Sequence, residues 1–173
     1  MTWTAPPVTR ADGEFAGGER ATLDGFLDWY RGTLLDKCAG LTGEQLARRA
    51  VPPSRLSLLG LLRHMTEVER GWFRRRIGGQ EAGSAYCTGQ RPDADFDDAV
   101  PASAEADYAA YLRELDLARA AAAGQELGQT FVHERHQTEM NVRWVYAHMI
   151  EEYARHVGHA DPIRECIDGR TGS

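Results

Sequence analysis

Apolar positions recur at three- and four-residue steps in four stretches of the chain, and no stretch alternates strongly enough to build a sheet. Between residues 18 and 39, Leu23, Phe26, Leu27, Tyr30, Leu34 and Leu35 share one helical face, which predicts a first helix ended near Gly40. The run LTGEQLARRA adds a short helical turn, stopped by Val51, Pro52 and Pro53 because proline has no amide donor and restricts the residue before it. Ser54 or Ser57 then caps a second helix, LSLLGLLRHMTEVERGWFRRRIG, over residues 55–78. A third, over residues 102–123, starts from Ser103 and Glu105, carries Tyr108, Tyr111, Leu112, Leu115 and Leu117, and fades into an alanine run closed by Gly124. The fourth spans residues 139–160.

The connections differ in character. Residues 79–101 are glycine-rich and acidic, and PDADFDDAV looks too sparse in apolar side chains to bury much, so this stretch reads as a long crossover. TFVHERHQTEMNVR, before the last helix, alternates briefly and reads as a loop or a short extended piece, with His133 and His136 solvated. The pattern predicts an all-α protein: a bundle of four main helices forming a single domain over residues 1–173.

Composition narrows the function. With 173 residues, 42% hydrophobic, the chain suits one core of ordinary size. A net charge of -6 gives no basic stripe for nucleic acid, and the run Arg74, Arg75, Arg76 reads as a solvated helix end. MTWTAPPVTR lacks the charged head and apolar core of a leader, and no segment approaches the roughly 18 apolar residues of a membrane span, so a cytoplasmic protein without a membrane partner is expected. Cys38, Cys87 and Cys166 are odd in number and form no CxxC pair, so they read as reduced, incidental thiols.

Candidate chemistry lies in HMIEEYARHVGHAD, residues 148–161. Stepping along this helix gives Val145, Met149, Glu152, His156 and then His159 or Ala160, so a carboxylate and an imidazole interrupt an apolar stripe. His64 shares a face of the second helix with Leu61, Val68 and Trp72. A buried carboxylate without a partner is destabilising by several kcal/mol, about the scale of a charge left unpaired in a core. Side chains four apart on a helix are close enough to grip one ion, and a third ligand from another helix would leave coordination positions open. The same residues also suit a core histidine satisfied by a backbone carbonyl and a Glu152–His156 salt bridge. His148 reads as a surface or supporting residue, His159 as a competing ligand, and Asp161 as a cap for a new helical segment with Pro162 at its first position.

LSLLGLLRHMTEVERGWF and WVYAHMIEEYARHVGHAD, together with FLDWYRGTLLDKCAGLTGEQL, resemble the DinB-like superfamily, most closely its mini-circle protein branch. The resemblance implies an up-down-down-up four-helix bundle with a long crossover between helices two and three. It also implies a divalent metal on the positions matching His64, Glu152 and His156. The superfamily usually places two histidines on the last helix; Glu152 is similar to the glutamate variant of mycothiol-dependent maleylpyruvate isomerase. The ligand set suits zinc or nickel, with iron possible. By the same resemblance the expected function is activation of a low-molecular-weight thiol, mycothiol-like, for S-transfer to an electrophile or for isomerisation, in a homodimer. The alternative is a non-catalytic metal-binding or stress-related protein.

Overall fold

The structure, a computed structural model, describes residues 2–10, 12–134 and 137–172. It is mostly helical. The long helices are α1 (Glu19–Cys38), α3 (Leu58–Glu69), α5 (Ala104–Ala122) and α6 (Val142–Asp168), with two short ones, α2 (Gly43–Ala47) and α4 (Ala94–Asp97), in the connections. Packing pairs α1 with α6 and α3 with α5, and α3 also lies against α6. No helix among the described residues is long and apolar enough to cross a membrane.

α3 is the centre of the core. Ser57, in extended conformation, accepts a hydrogen bond from the Gly60 amide at 3.1 Å and so satisfies one of the orphan donors of the first turn. Beyond it Leu58, Leu59, Leu61, Leu62 and Met65 are all fully buried, as a helix covered on more than one side requires. The chain then continues without a break into a π-helix over Arg70–Ile77, whose wider turn ends in a Gly78 amide to Phe73 carbonyl bond of 2.8 Å. Gly40 and Gly124 both take φ near +77, at 78° and 76°, the left-handed conformation that closes α1 and α5 where the sequence placed their ends.

Several expectations need correction. TFVHERHQTEMNVR forms an antiparallel hairpin of β1 (Thr130–His133) and β2 (Thr138–Asn141), with Phe131 opposite Met140 and His133 opposite Thr138. Strands of four residues carry too little alternation to stand out in the sequence. Glu139 therefore lies on β2, and α6 starts at Val142, its first turn capped by the Asn141 side chain accepting from the Trp144 amide at 2.8 Å. His133 is 3% exposed, its ring 5.4 Å from that of Trp72, so it is a packed residue and not a solvated one. His136 lies outside the described residues.

α6 also runs past residue 160. Pro162 is inside it, and Asp161 does not cap a new segment but pairs with Lys37 at 2.7 Å. Proline gives up one intrahelical bond here. Tertiary contacts hold the tail instead: Ala160 and Ile163 are buried, and Arg164 donates to the carbonyls of Lys37 and Ala39, both at 2.9 Å, at the end of α1. The arginine run is not a solvated end either. Only Arg75 is exposed; Arg74 donates to Glu114, and the Arg76 guanidinium lies 4.5 Å over the Trp72 ring.

Candidate metal centre

α3 and α6 bring three side chains together. One ligand atom each from His64, Glu152 and His156 lies within 4.8 Å of the other two, and this is the group of potential metal ligands found among the described residues. The His64 and His156 rings meet edge to face with centroids 4.7 Å apart. On α6, His156 Nε2 is 3.3 Å from Glu152 Oε2, as the four-residue spacing allows. All three are part-buried, with side-chain exposures of 25%, 26% and 12% for His64, Glu152 and His156, so the cluster sits at the rim of the core with access to solvent.

Each imidazole is constrained differently. His64 Nδ1 is 2.8 Å from Asp95 Oδ2, and its ring stacks on Phe96 at 4.8 Å. The Asp95 carboxyl is held below the usual carboxylate range: burial works against its charge, but the bond and charge of His64 and the Phe96 amide outweigh it. His156 is pushed down to about 4, chiefly by burial and then by His64, His159 and Arg155 nearby, so its ring is neutral at physiological pH. Its Nδ1 is buried with no hydrogen-bond partner. An orphaned ring nitrogen and a neutral imidazole beside a carboxylate fit a divalent cation, which takes lone pairs from deprotonated ligands.

Among the described residues, the other histidines stand outside this set. His148 Nε2 is 3.5 Å from Glu152 Oε1. Its ring is held between Trp144, stacked at 4.9 Å, and Trp72, edge-on at 4.8 Å, forming an aromatic wall beside the carboxylate. His159 is exposed, its ring 5.6 Å from that of His156. Sequence reasoning missed Asp95, because four aspartates crowd residues 93–98 and nothing in the pattern singles out one of them. The aromatic Phe96 among those acids was the available signal for a buried turn.

The chain's own thiols do not join the cluster. Burial pushes the Cys38 thiol up to about 12, and burial, reinforced by the Asp95 and Glu67 charges, pushes Cys87 up to about 11. Both are therefore protonated and weakly nucleophilic at neutral pH.

A helical core offering two imidazoles and one carboxylate from two facing helices defines a candidate metalloprotein of the helical type. A profile for the family described as mycothiol-S-transferase matches residues 22–169, and the chain belongs to that family, a DinB-like one related to mycothiol-dependent enzymes. No curated protein and no solved structure matches it.

Proposed function

We propose that the protein is a divalent-metal-dependent enzyme that activates a low-molecular-weight thiol, mycothiol-like, for S-transfer or isomerisation, with His64, Glu152 and His156 as the metal ligands. The observation that carries this reading is the meeting of the three ligand atoms in a member of a family related to mycothiol-dependent enzymes. A divalent cation there would supply a positive charge that lowers the pKa of a coordinating thiol, so that the sulfur binds as the reactive thiolate. The protein's part is to hold the ligands and to admit the thiol. Two imidazoles and one carboxylate would bring a single formal negative charge to a bound ion, and part-exposure leaves room for a fourth ligand from solvent. Zinc or nickel suits this donor set best, with iron next.

The test is a titration of cobalt-substituted protein with mycothiol, using bacillithiol, glutathione and cysteine as controls. Sulfur ligation adds a charge-transfer band that nitrogen and oxygen donors lack. Because the thiol must release its proton on binding, apparent affinity rises with pH below the thiol's own pKa. If no thiol perturbs the spectrum and no electrophile is conjugated above the uncatalysed rate, the protein is a metal binder without this activity.

The same reading takes the chain as one DinB-like domain over residues 1–173 with its four long helices in up-down-down-up order. It places the protein in the cytoplasm, where small thiols are kept reduced. A homodimer is part of it. Trp144, 43% exposed, and Phe26, 58% exposed, are open aromatic positions on the first and last helices; Tyr146 is buried, its hydroxyl accepting from Arg20, and is not available to an interface. Light scattering is expected to return twice the chain mass, and a monomer at high concentration would remove the dimer from the proposal.

A further inference from the structure

The crossover is not a loose connection where it passes α3. Within a single turn of that helix, Arg63, His64 and Glu67 each grip it. Arg63 donates to the Asp95 carbonyl at 2.8 Å and the Ala94 carbonyl at 3.0 Å, and Glu67 Oε1 accepts from the amides of Tyr86 at 2.6 Å and Cys87 at 2.9 Å. At the Arg63 anchor Asp95, 3% exposed, delivers its carboxylate to His64 Nδ1 at 2.8 Å. An ionised carboxylate has no proton to donate, so the imidazole must be the donor in this bond. With the proton fixed on Nδ1, the ring's lone pair lies on Nε2.

From this we infer that Asp95 is a positioning residue for the metal centre: it selects the tautomer of His64 and fixes the ring, so that Nε2 is presented as a ligand alongside Glu152 and His156. The inference rests on the metal reading for its purpose, though not for its geometry. Asp95 acts through His64. Its withdrawal from solvent keeps water from competing for the bond, and its second oxygen is occupied by the Phe96 amide at 3.0 Å, which leaves the carboxylate little freedom to turn away. A carboxylate behind a ligating imidazole also raises the basicity of the ring, which strengthens its bond to a cation. His156 Nδ1 has no hydrogen-bond partner, so the two imidazoles enter the site with different surroundings.

The test uses metal-free protein carrying ¹⁵N-labelled histidine, with the tautomers read from long-range proton–nitrogen spectra at alkaline pH, and then metal affinity by competition with a chromogenic chelator. In the wild type, His64 is expected with its proton on Nδ1. In Asp95→Ala the Nε2–H form should appear, and affinity for zinc should fall roughly 10–100-fold. Asp95→Leu fills similar space without an acceptor and carries the same test should Asp95→Ala fail to fold. Asp95→Asn, whose amide oxygen can still accept from Nδ1–H, should keep the wild-type tautomer and recover part of the affinity, a rescue that a purely space-filling role would not produce. His64 keeping its proton on Nδ1 in both Asp95→Ala and Asp95→Leu would overturn the inference. Were the wild type to bind no metal at all, the metal reading would fall, while the tautomer measurement would still decide the role of Asp95.

Discussion

Replacing Glu69 by alanine is expected to destabilise the protein by about 3–5 kcal/mol, because it leaves a buried guanidinium with only the half-exposed Asp28, 2.9 Å from its other nitrogen, as counter-charge. Glu69 is fully buried at the end of α3, and Arg31 of α1 reaches it with two parallel bonds, Nε to Oε1 and Nη2 to Oε2, both 2.7 Å. This is the forked geometry that makes arginine–carboxylate pairs strong. Burial works against the Arg31 charge, yet Glu69 outweighs it and holds the guanidinium pKa well above its usual value, so the arginine cannot escape the loss by shedding its proton. Tyr153 adds a third bond, its hydroxyl donating to Glu69 Oε1 at 2.7 Å, and Tyr111 lies 2.8 Å from Tyr153 in turn. One carboxylate therefore ties together α1, α3, α5 and α6. For a chain of this size about 2–4 °C of melting temperature accompanies each kcal/mol. A fall of roughly 6–20 °C in a thermal melt followed by circular dichroism is thus expected on this basis. Joint replacement by Arg31→Met and Glu69→Leu should recover much of it, since apolar side chains of similar volume remove both charges together. A single-variant melt within about 2 °C of wild type would show the pair to be energetically idle.

Alanine at His64 or at His156 is expected to reduce bound metal from near-stoichiometric to background, measured by elemental analysis of protein purified without chelators. Each would remove one of the three ligands proposed from among the described residues, and two donors do not hold a labile divalent ion against dilution and buffer. His133→Ala is the contrasting variant. It should keep its metal and lose stability instead, by about 0.5–3 kcal/mol, because it empties a packed position beside Trp72. Full metal content in His64→Ala would show that the triad is wrong and would turn attention to His148 and His159. Glu152→Gln, which keeps the shape but drops the charge, should weaken metal binding without abolishing it.

Helix ends and helix faces were legible in the sequence where they depended on local chemistry. The glycines at 40 and 124 and the serine at 57 act through backbone geometry and capping, which a short window contains. The triad was legible for the same reason on α6, where Glu152 and His156 are four apart, and on α3, where His64 interrupts an apolar face. What stayed hidden depended on partners far along the chain. Pro162 reads as a helix breaker until Arg164 is seen holding the tail to α1. Asp95 looks like one more solvated acid until Arg63 and His64 are placed next to it, 32 and 31 residues away. The hairpin strands are too short for periodicity to reveal, and His133 is buried because the chain folds back onto Trp72.

The crossover anchor also constrains how the sequence can drift. Asp107 of α5 accepts from Arg63 at 3.0 Å, from the Tyr86 hydroxyl at 3.0 Å and from Ser103 at 2.7 Å, while the Arg63 guanidinium lies 3.9 Å over the Tyr86 ring. Loss of either charge alone strands the other in a nearly dry setting, with both side chains only 8% exposed. Positions 63 and 107 are therefore free to change only as a couple. Lineages that abandon the pair must first pass through an intermediate with one buried charge facing no counterpart, so the arginine and the aspartate should be inherited together or lost together, and position 86 should keep an aromatic ring for as long as the arginine persists.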